Sequence, residues 1–383
     1  PRQLTMTSTP SHDLLTEFVE SAHENPCANL VNLLGNSTTY KQFLSCRYAS
    51  AQHLLDLLQD LLDANSSPQF ARPFLIRALL RLSRVSGRHP RCFPIRDLDP
   101  EEQVDAGNYS DVWKGSVKGS EVCIKIMRLY KTSDIEGLLQ EFGREALLWR
   151  QLCHPNVLPF FDLYYLEKRL CLISPWMGNG NIFEYLRKKP FNMNHFTFAS
   201  PSALRMKPSL TLVVKVLDVA LGVEYLHANN VVHGDLKSAN ILVTPSGRAC
   251  IADFGLSYVT NPMTFRFTHV TVERGQGGTL RYQAPELFQD HVNHSGSNTY
   301  AFACVCYEIM TGKVHFFFFF FYEITKDPAV MVKVLAGQQP SKPYSWSTPV
   351  LEQFWQLLQD CWNMAPDLRP TATQIVERLK SPP

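Results

Sequence analysis

His233-Gly234-Asp235-Leu236-Lys237-Ser238-Ala239-Asn240, followed by Asp253-Phe254-Gly255, is the stretch around which the chain is organised. Its two outer aspartates lie 253 − 235 = 18 positions apart, and the interval holds a short apolar strand, a Pro-Ser-Gly turn and a second apolar strand ending in the later Asp. The pattern reads as a hairpin that brings two carboxylates, a Lys and an Asn together. Such a set suits chemistry in which a protein positions reactants and neutralises spread negative charge.

Working outward, 383 residues with 45% hydrophobic composition can bury a large core and exceed a usual single domain, so two domains are expected. Acidic and basic residues are interspersed for a formal net charge of +2, which argues against nucleic acid or an anionic membrane as partner. Ten cysteines occur without a C-x-x-C pair, there is no signal peptide, and no apolar run approaches the length of a membrane span. Reduced thiols and a cytoplasmic location are expected. The first residue is Pro1 rather than Met, as in a trimmed or partial chain.

Residues 1–10 read as a disordered tail, and residues 11–87 as a small helical bundle. Ser11 would cap a helix carrying Leu14, Leu15, Phe18 and Val19. A second helix is expected from about Lys41 to Asp63, with Leu54, Leu55, Leu57, Leu58, Leu61 and Leu62 in its stripe, and a third from about Phe70 to Val85, capped by Gly87. Arg77, Arg81, Arg84 and Arg88 recur at helical spacing, as a solvated face or as a surface for an acidic protein partner or for the domain that follows in the same chain. Residues 88–100, with their prolines, read as a linker.

The motifs beyond the linker fall into one order. Asp105-Ala106-Gly107-Asn108-Tyr109-Ser110-Asp111-Val112 is followed by Val122-Cys123-Ile124-Lys125, by Glu145 on an amphipathic helix, and by the buried strand Leu170-Cys171-Leu172-Ile173 entering Ser174-Pro175-Trp176-Met177. After the central stretch come Thr279, Ala284-Pro285-Glu286 and, 369 − 286 = 83 positions later, Arg369. In this order the motifs resemble the protein kinase catalytic domain over residues 101–380, most closely the tyrosine-kinase-like branch of Ser/Thr kinases.

The resemblance implies an α+β, bilobal protein-kinase-like fold preceded by the all-α bundle: a β-rich N-lobe (101–173), a hinge (174–178) and a helical C-lobe (179–380). It implies an enzyme that moves the γ-phosphoryl group of ATP, with Mg²⁺, to Ser/Thr hydroxyls of protein substrates. Asp235 would deprotonate the hydroxyl, Lys237 would steady the transferred group, Asn240 and Asp253 would hold metal, and Lys125 would pair with Glu145 and the phosphates. Gly107, Val112, Cys123, Lys125, Ser174, Trp176, Met177, Glu184 and Leu242 would surround the nucleotide, and Phe254, His233 and Trp149 would stack as a spine.

Four departures from the family pattern stand out. Asp105 and Ser110 replace glycines of the phosphate loop, which predicts weaker ATP binding. Gly234 replaces the Arg that pairs with an activation-loop phosphate, so activity is expected to be independent of that switch, although Ser257, Thr260, Thr268, Thr271 and Thr279 remain as acceptors. Asn298 replaces an Asp, leaving an amide N–H to be satisfied. Phe316 to Phe321 form an inserted run and residues 190–210 an inserted loop. The alternative reading, favoured by Asp105, Ser110 and Asn298, is a pseudokinase or weakly active scaffold that binds nucleotide and partner proteins.

Overall fold

Alternation along Val122-Cys123-Ile124-Lys125-Ile126 puts three branched residues on one face of a strand and a thiol and an ammonium on the other. The computed structural model, which describes residues 26–64, 71–91, 95, 97–106, 110–128, 135–166, 169–188, 208–260, 279–289, 294–311, 327–344 and 346–381, forms this strand within a five-stranded sheet. In chain order the strands are β1 (Leu98–Ala106), β2 (Ser110–Val117), β3 (Ser120–Met127), β4 (Asp162–Leu166) and β5 (Arg169–Pro175), arranged β1-β2-β3-β5-β4. Val122, Ile124 and Ile126 join Leu98, Cys171 and Ile173 in a core on one face. Burying a side chain of this kind stabilises the fold by about 1.5 to 3 kcal/mol.

Among the described residues four helices come before the sheet: α1 (Pro26–Gly35), α2 (Ser37–Ser45), α3 (Tyr48–Asp63) and α4 (Arg72–Ser86). The single helix expected over Lys41–Asp63 is two helices. Arg47 adopts an extended conformation, and its guanidinium takes the Leu44 and Cys46 carbonyls at 2.8 Å each. A side chain thus satisfies carbonyls at the end of α2 that a continuing helix would have used. The third helix forms as expected, with Gly87 left-handed at its end (φ +65°). The helix expected after Ser11 lies outside the described residues. Arg77 and Arg81 of the arginine row lie over the rings of Phe74 and Tyr40, whereas Arg84 and Arg88 are exposed. Helix α5 (Ile135–Arg150) follows β3, and α4 packs against it.

The chain divides into two compact units, Pro1–Gln151 with Phe160–Ser174, and Leu152–Pro159 with Pro175–Pro383. The second is built on α7 (Pro208–Ala228), which follows α6 (Ile182–Lys188), and on α8 (Ser295–Thr311). Every residue of α8 from Ser297 to Met310 is buried, which explains why its sequence from Tyr300 onward is apolar on nearly all sides, with Glu308 the exception. Two short ribbons sit beside these helices: β6 (Val231–Val232) with β9 (Tyr258–Val259), and β7 (Ile241–Val243) with β8 (Ala249–Ile251). Helices α9 (Asp327–Leu335), α10 (Pro349–Cys361) and α11 (Ala372–Lys380) complete the unit, the last entered through a Thr371/Gln374 capping box. Helix α7 starts at Pro208, inside the stretch expected as a loop; the rest of that insertion and the Phe316–Phe321 run lie outside the described residues.

Candidate active site

In the first unit, Val112 stands opposite Lys125 in the β2–β3 register, and Cys123 lies two residues before Lys125 on the same face. The Lys125 ammonium bonds the Glu145 carboxylate at 2.6 Å, and Glu145 is buried. The pair expected from sequence is therefore formed. Burial raises the Cys123 thiol's pKa, only partly offset by a hydrogen bond with Ser174 and by the Lys125 charge. Asp105 is exposed, and its carboxylate accepts the Ala106 N–H at 2.7 Å. Gly107 lies outside the described residues.

In the second unit, His233 follows directly on β6, and its buried imidazole donates from Nε2 to the Ala252 carbonyl (3.1 Å) and accepts at Nδ1 from the Asp235 N–H (3.3 Å). Phe254 meets this ring edge-on at 5.3 Å, whereas Trp149 packs on Phe160 in the other unit. Asp235 is held from three sides. Lys237 Nζ bonds Oδ2 at 2.6 Å, the Thr279 N–H bonds Oδ1 at 3.0 Å, and Asn240 Nδ2 donates to its carbonyl at 2.9 Å and to Oδ2 at 3.3 Å. With Nδ2 so used, Asn240 keeps its amide oxygen as the group for a cation. Asp253 sits left-handed at φ +68° directly before buried Phe254. Two oxygen donors of this kind fit Mg²⁺, which completes its shell with water and phosphate oxygens. No cluster of three or more His, Cys, Asp or Glu able to hold a metal occurs among the described residues.

The other expected nucleotide residues are dispersed along nearby segments. Met177 accepts the Gly180 N–H at 2.8 Å, Glu184 is half-buried on α6 with its carboxylate against Gly180, and Leu242 bridges to Asn181. Trp176 is half-buried. Among the expected phosphoacceptors, Ser257 is fully buried and donates to the His233 carbonyl at 2.7 Å, so its hydroxyl serves the loop instead. Thr260 likewise donates to the Asn230 carbonyl (3.1 Å), while Thr268 and Thr271 lie outside the described residues.

Asn298 differs from the sequence expectation of a stranded amide. Its Oδ1 accepts the Gly234 N–H at 3.4 Å, and its Nδ2 faces His227 Nε2 at 3.3 Å. Burial lowers the His227 pKa to about 4, so the imidazole is neutral and offers a lone pair. The N–H is paired because α7 places an acceptor there. Gly234 itself is at φ +84°, and a Cβ would lie 2.4 Å from the Leu256 carbonyl oxygen. Only glycine fits that backbone.

Two carboxylates brace this region, Glu286 half-buried and Glu308 buried. Glu286 receives a two-pronged bond from Arg369 at 2.7 Å on each oxygen, while Arg369 also donates to Gly296 and Asn363 carbonyls. Burial alone would raise the Glu286 pKa, but the Arg369 bonds and charge override it and hold it below the usual value. Glu308 of α8 was not anticipated. It accepts from Ser238 of the catalytic loop and from Tyr282 (2.8 Å), and burial raises its pKa to about 7. An acid inside an otherwise apolar helix, Cys304-Val305-Cys306-Tyr307-Glu308-Ile309, was the available signal.

A profile described as protein tyrosine and serine/threonine kinase matches residues 98–379. Serine/threonine-protein kinase STY17 of Arabidopsis thaliana is 29% identical over 285 residues, covering 74% of this chain and 44% of that protein. Serine/threonine/tyrosine-protein kinase HT1 of the same plant is 30% identical over 277 residues, 72% of this chain and 64% of its own length. The probable serine/threonine-protein kinase drkA of Dictyostelium discoideum is 29% identical over 287 residues, 73% and 39% respectively. The chain thus spans between 39% and 64% of the length of these relatives.

Proposed function

The chain belongs to the protein tyrosine and serine/threonine kinase family, and from that premise we propose that it transfers the γ-phosphoryl group of ATP to Ser/Thr hydroxyls of protein substrates. The observation that carries the reading is the Asp235 carboxylate, fixed by Lys237, Asn240 and the Thr279 N–H at 2.6 to 3.3 Å. A carboxylate so oriented accepts a hydroxyl proton as that oxygen becomes nucleophilic, and Lys237 beside it offsets the charge of the transferred group. Lys125, oriented by Glu145, holds phosphate oxygens, with Gly107, Val112, Cys123, Ser174, Trp176, Met177, Glu184 and Leu242 around the rest of the nucleotide. Asn240 and Asp253 hold Mg²⁺, which supplies charge neutralisation at the phosphates when bound.

The domain assignment follows: a helical region at 11–87, a linker at 88–100 and a catalytic domain at 101–380. The exposed Arg84 and Arg88 support a protein partner at the helical region. Among the described residues no helix is long and apolar enough to cross a membrane. The free thiols of the described cysteines are in keeping with a cytoplasmic location.

The test is transfer from γ-labelled ATP and Mg²⁺ to a basic protein substrate, comparing wild type with Asp235→Asn and identifying the labelled amino acid. Loss of the base should lower the rate by roughly 10² to 10⁴. Label on Ser or Thr that disappears in the variant supports the proposal. If neither protein exceeds background while nucleotide still binds, a scaffold role replaces it.

A further inference from the structure

The face of α5 turned away from Glu145 is occupied by this chain's own N-terminal helices. Gly143 precedes Glu145 by two residues, a rotation of about 200° around the helix, so whatever rests on Gly143 lies behind the carboxylate that pairs with Lys125. His89 rests there. A Cβ at Gly143 would lie 2.3 Å from His89 Cε1 and 2.9 Å from its Nε2.

The imidazole is fixed from the bundle side. Ser83 Oγ gives its proton to the Arg88 carbonyl (2.6 Å) and so accepts from His89 Nδ1 at 3.0 Å, while the His89 carbonyl accepts Gln52 Nε2 at 2.9 Å. Two turns further along the same face, the end of α5 is tied down as well. Arg72 donates to the Leu62 carbonyl and to the Gln151 carbonyl at 2.9 Å each, and Gln151 Nε2 bonds Gln59 Oε1 at 3.0 Å between two buried side chains. Arg150 reaches Asp63 at 3.0 Å. One planar guanidinium, through its two terminal nitrogens, thereby satisfies a carbonyl at the C-terminal end of α3 and another just past α5, a spread its rigid fork suits better than a single ammonium nitrogen.

We propose that the N-terminal helices position the Glu145 helix, with His89 seated on Gly143 and Arg72 clasping the helix end. The inference rests on the kinase reading of Lys125 and Glu145. His89, Arg72 and Gln59 are then positioning residues that touch no substrate, and the helical region works on the active site from within its own chain.

The test uses the full chain as wild type, Gly143→Ala, His89→Ala, the double variant and Arg72→Lys. It reads hydrogen exchange of the amides at 143–151 together with kcat and KM for ATP. Helix propensity favours Ala over Gly, so any loosening in Gly143→Ala has to come from the displaced imidazole. Exchange should quicken about tenfold and KM for ATP should rise severalfold in Gly143→Ala, and the double variant should return to within about twofold of His89→Ala.

Wild-type exchange and KM in Gly143→Ala would overturn the proposal, as would a double variant no better than Gly143→Ala. Arg72→Lys leaves the seat intact and should quicken exchange around Gln151; unchanged exchange there overturns the clasp even if Gly143→Ala does not fold. Should wild type transfer no phosphate while the exchange pattern holds, the positioning role stands and the kinase reading falls. Should transfer occur without the exchange pattern, the positioning role alone falls.

Discussion

Glu308→Gln separates the cost of a buried charge from the value of the bonds it makes. The Glu308 oxygen that accepts from Ser238 and Tyr282 has a counterpart in the glutamine carbonyl, so the substitution copies the protonated acid. The carboxyl ionises near 4.5 in the unfolded chain and near 7 in the fold. The folded form therefore holds more protons across that window, and stability falls as pH rises through it. The full cost is 7 − 4.5 units at about 1.4 kcal/mol each, or about 3 to 4 kcal/mol.

From linkage, most of this, about 2 to 3 kcal/mol, develops between roughly pH 5 and pH 8. Tyr282 stays neutral throughout, because burial beside Glu308 keeps its pKa well above 10. Urea unfolding can be followed by the fluorescence of Trp346 and Trp362, which pack on Tyr307 at 6.1 and 5.9 Å, next to Glu308 in the chain. The variant should match wild type to about 1 kcal/mol near pH 5 and exceed it by about 2 to 3 kcal/mol near pH 8. A stability difference that is the same at both pH values would refute the reasoning.

Arg369→Met should cost about 3 to 5 kcal/mol at neutral pH by stranding Glu286. The loss should shrink toward pH 4, where the stranded acid takes a proton; a pH-independent loss in the same unfolding assay would count against the pair as described. Gly234→Ala should cost about 1 to 3 kcal/mol and depress phosphoryl transfer, since the backbone conformation and the Leu256 carbonyl both oppose a Cβ. Wild-type melting and rate would show that the loop adapts freely. Asn298→Asp should raise the proton affinity of His227, which is lowered to about 4 in the fold against 6.5 when free. Wild type loses stability as pH falls through that interval, because the unfolded chain gains the proton first, and the variant should lose less between about pH 7.5 and pH 5.5.

The residues proposed to react could be picked out as a set because they fall close together along the chain. Asp235, Lys237 and Asn240 lie within six positions of one another, and a strand, turn and strand carry the chain to Asp253. Alternation on β3 likewise disclosed which residues share a face with Lys125. Contacts that depend on distant chain segments were not legible. Nothing in the apolar periodicity of α7 says that His227 lies beneath Asn298, 71 positions later, and Gly143 looks like a weak point in a helix until His89 is seen against it. The break between α2 and α3 was hidden for another reason. Arg47 reads as a good helix former by propensity, and its side chain instead competes for the carbonyls of the preceding turn.

These departures compensate one another. A loop glycine at φ +84° lets the Leu256 carbonyl pass where an Arg side chain would begin, and the same turn aims its N–H at Asn298. An Asn in that place brings a donor as well as an acceptor, so it needs a second acceptor close by, and a neutral His227 supplies one without introducing charge into a buried site. Replacing Asn298 alone by Asp would put a carboxylate against an imidazole that burial keeps unprotonated. Replacing Gly234 alone by Arg would drive a side chain into backbone. Asp235, one residue along, receives its own three donors from Lys237, Asn240 and the Thr279 N–H, so the unusual residues and the ordinary ones meet in one short turn.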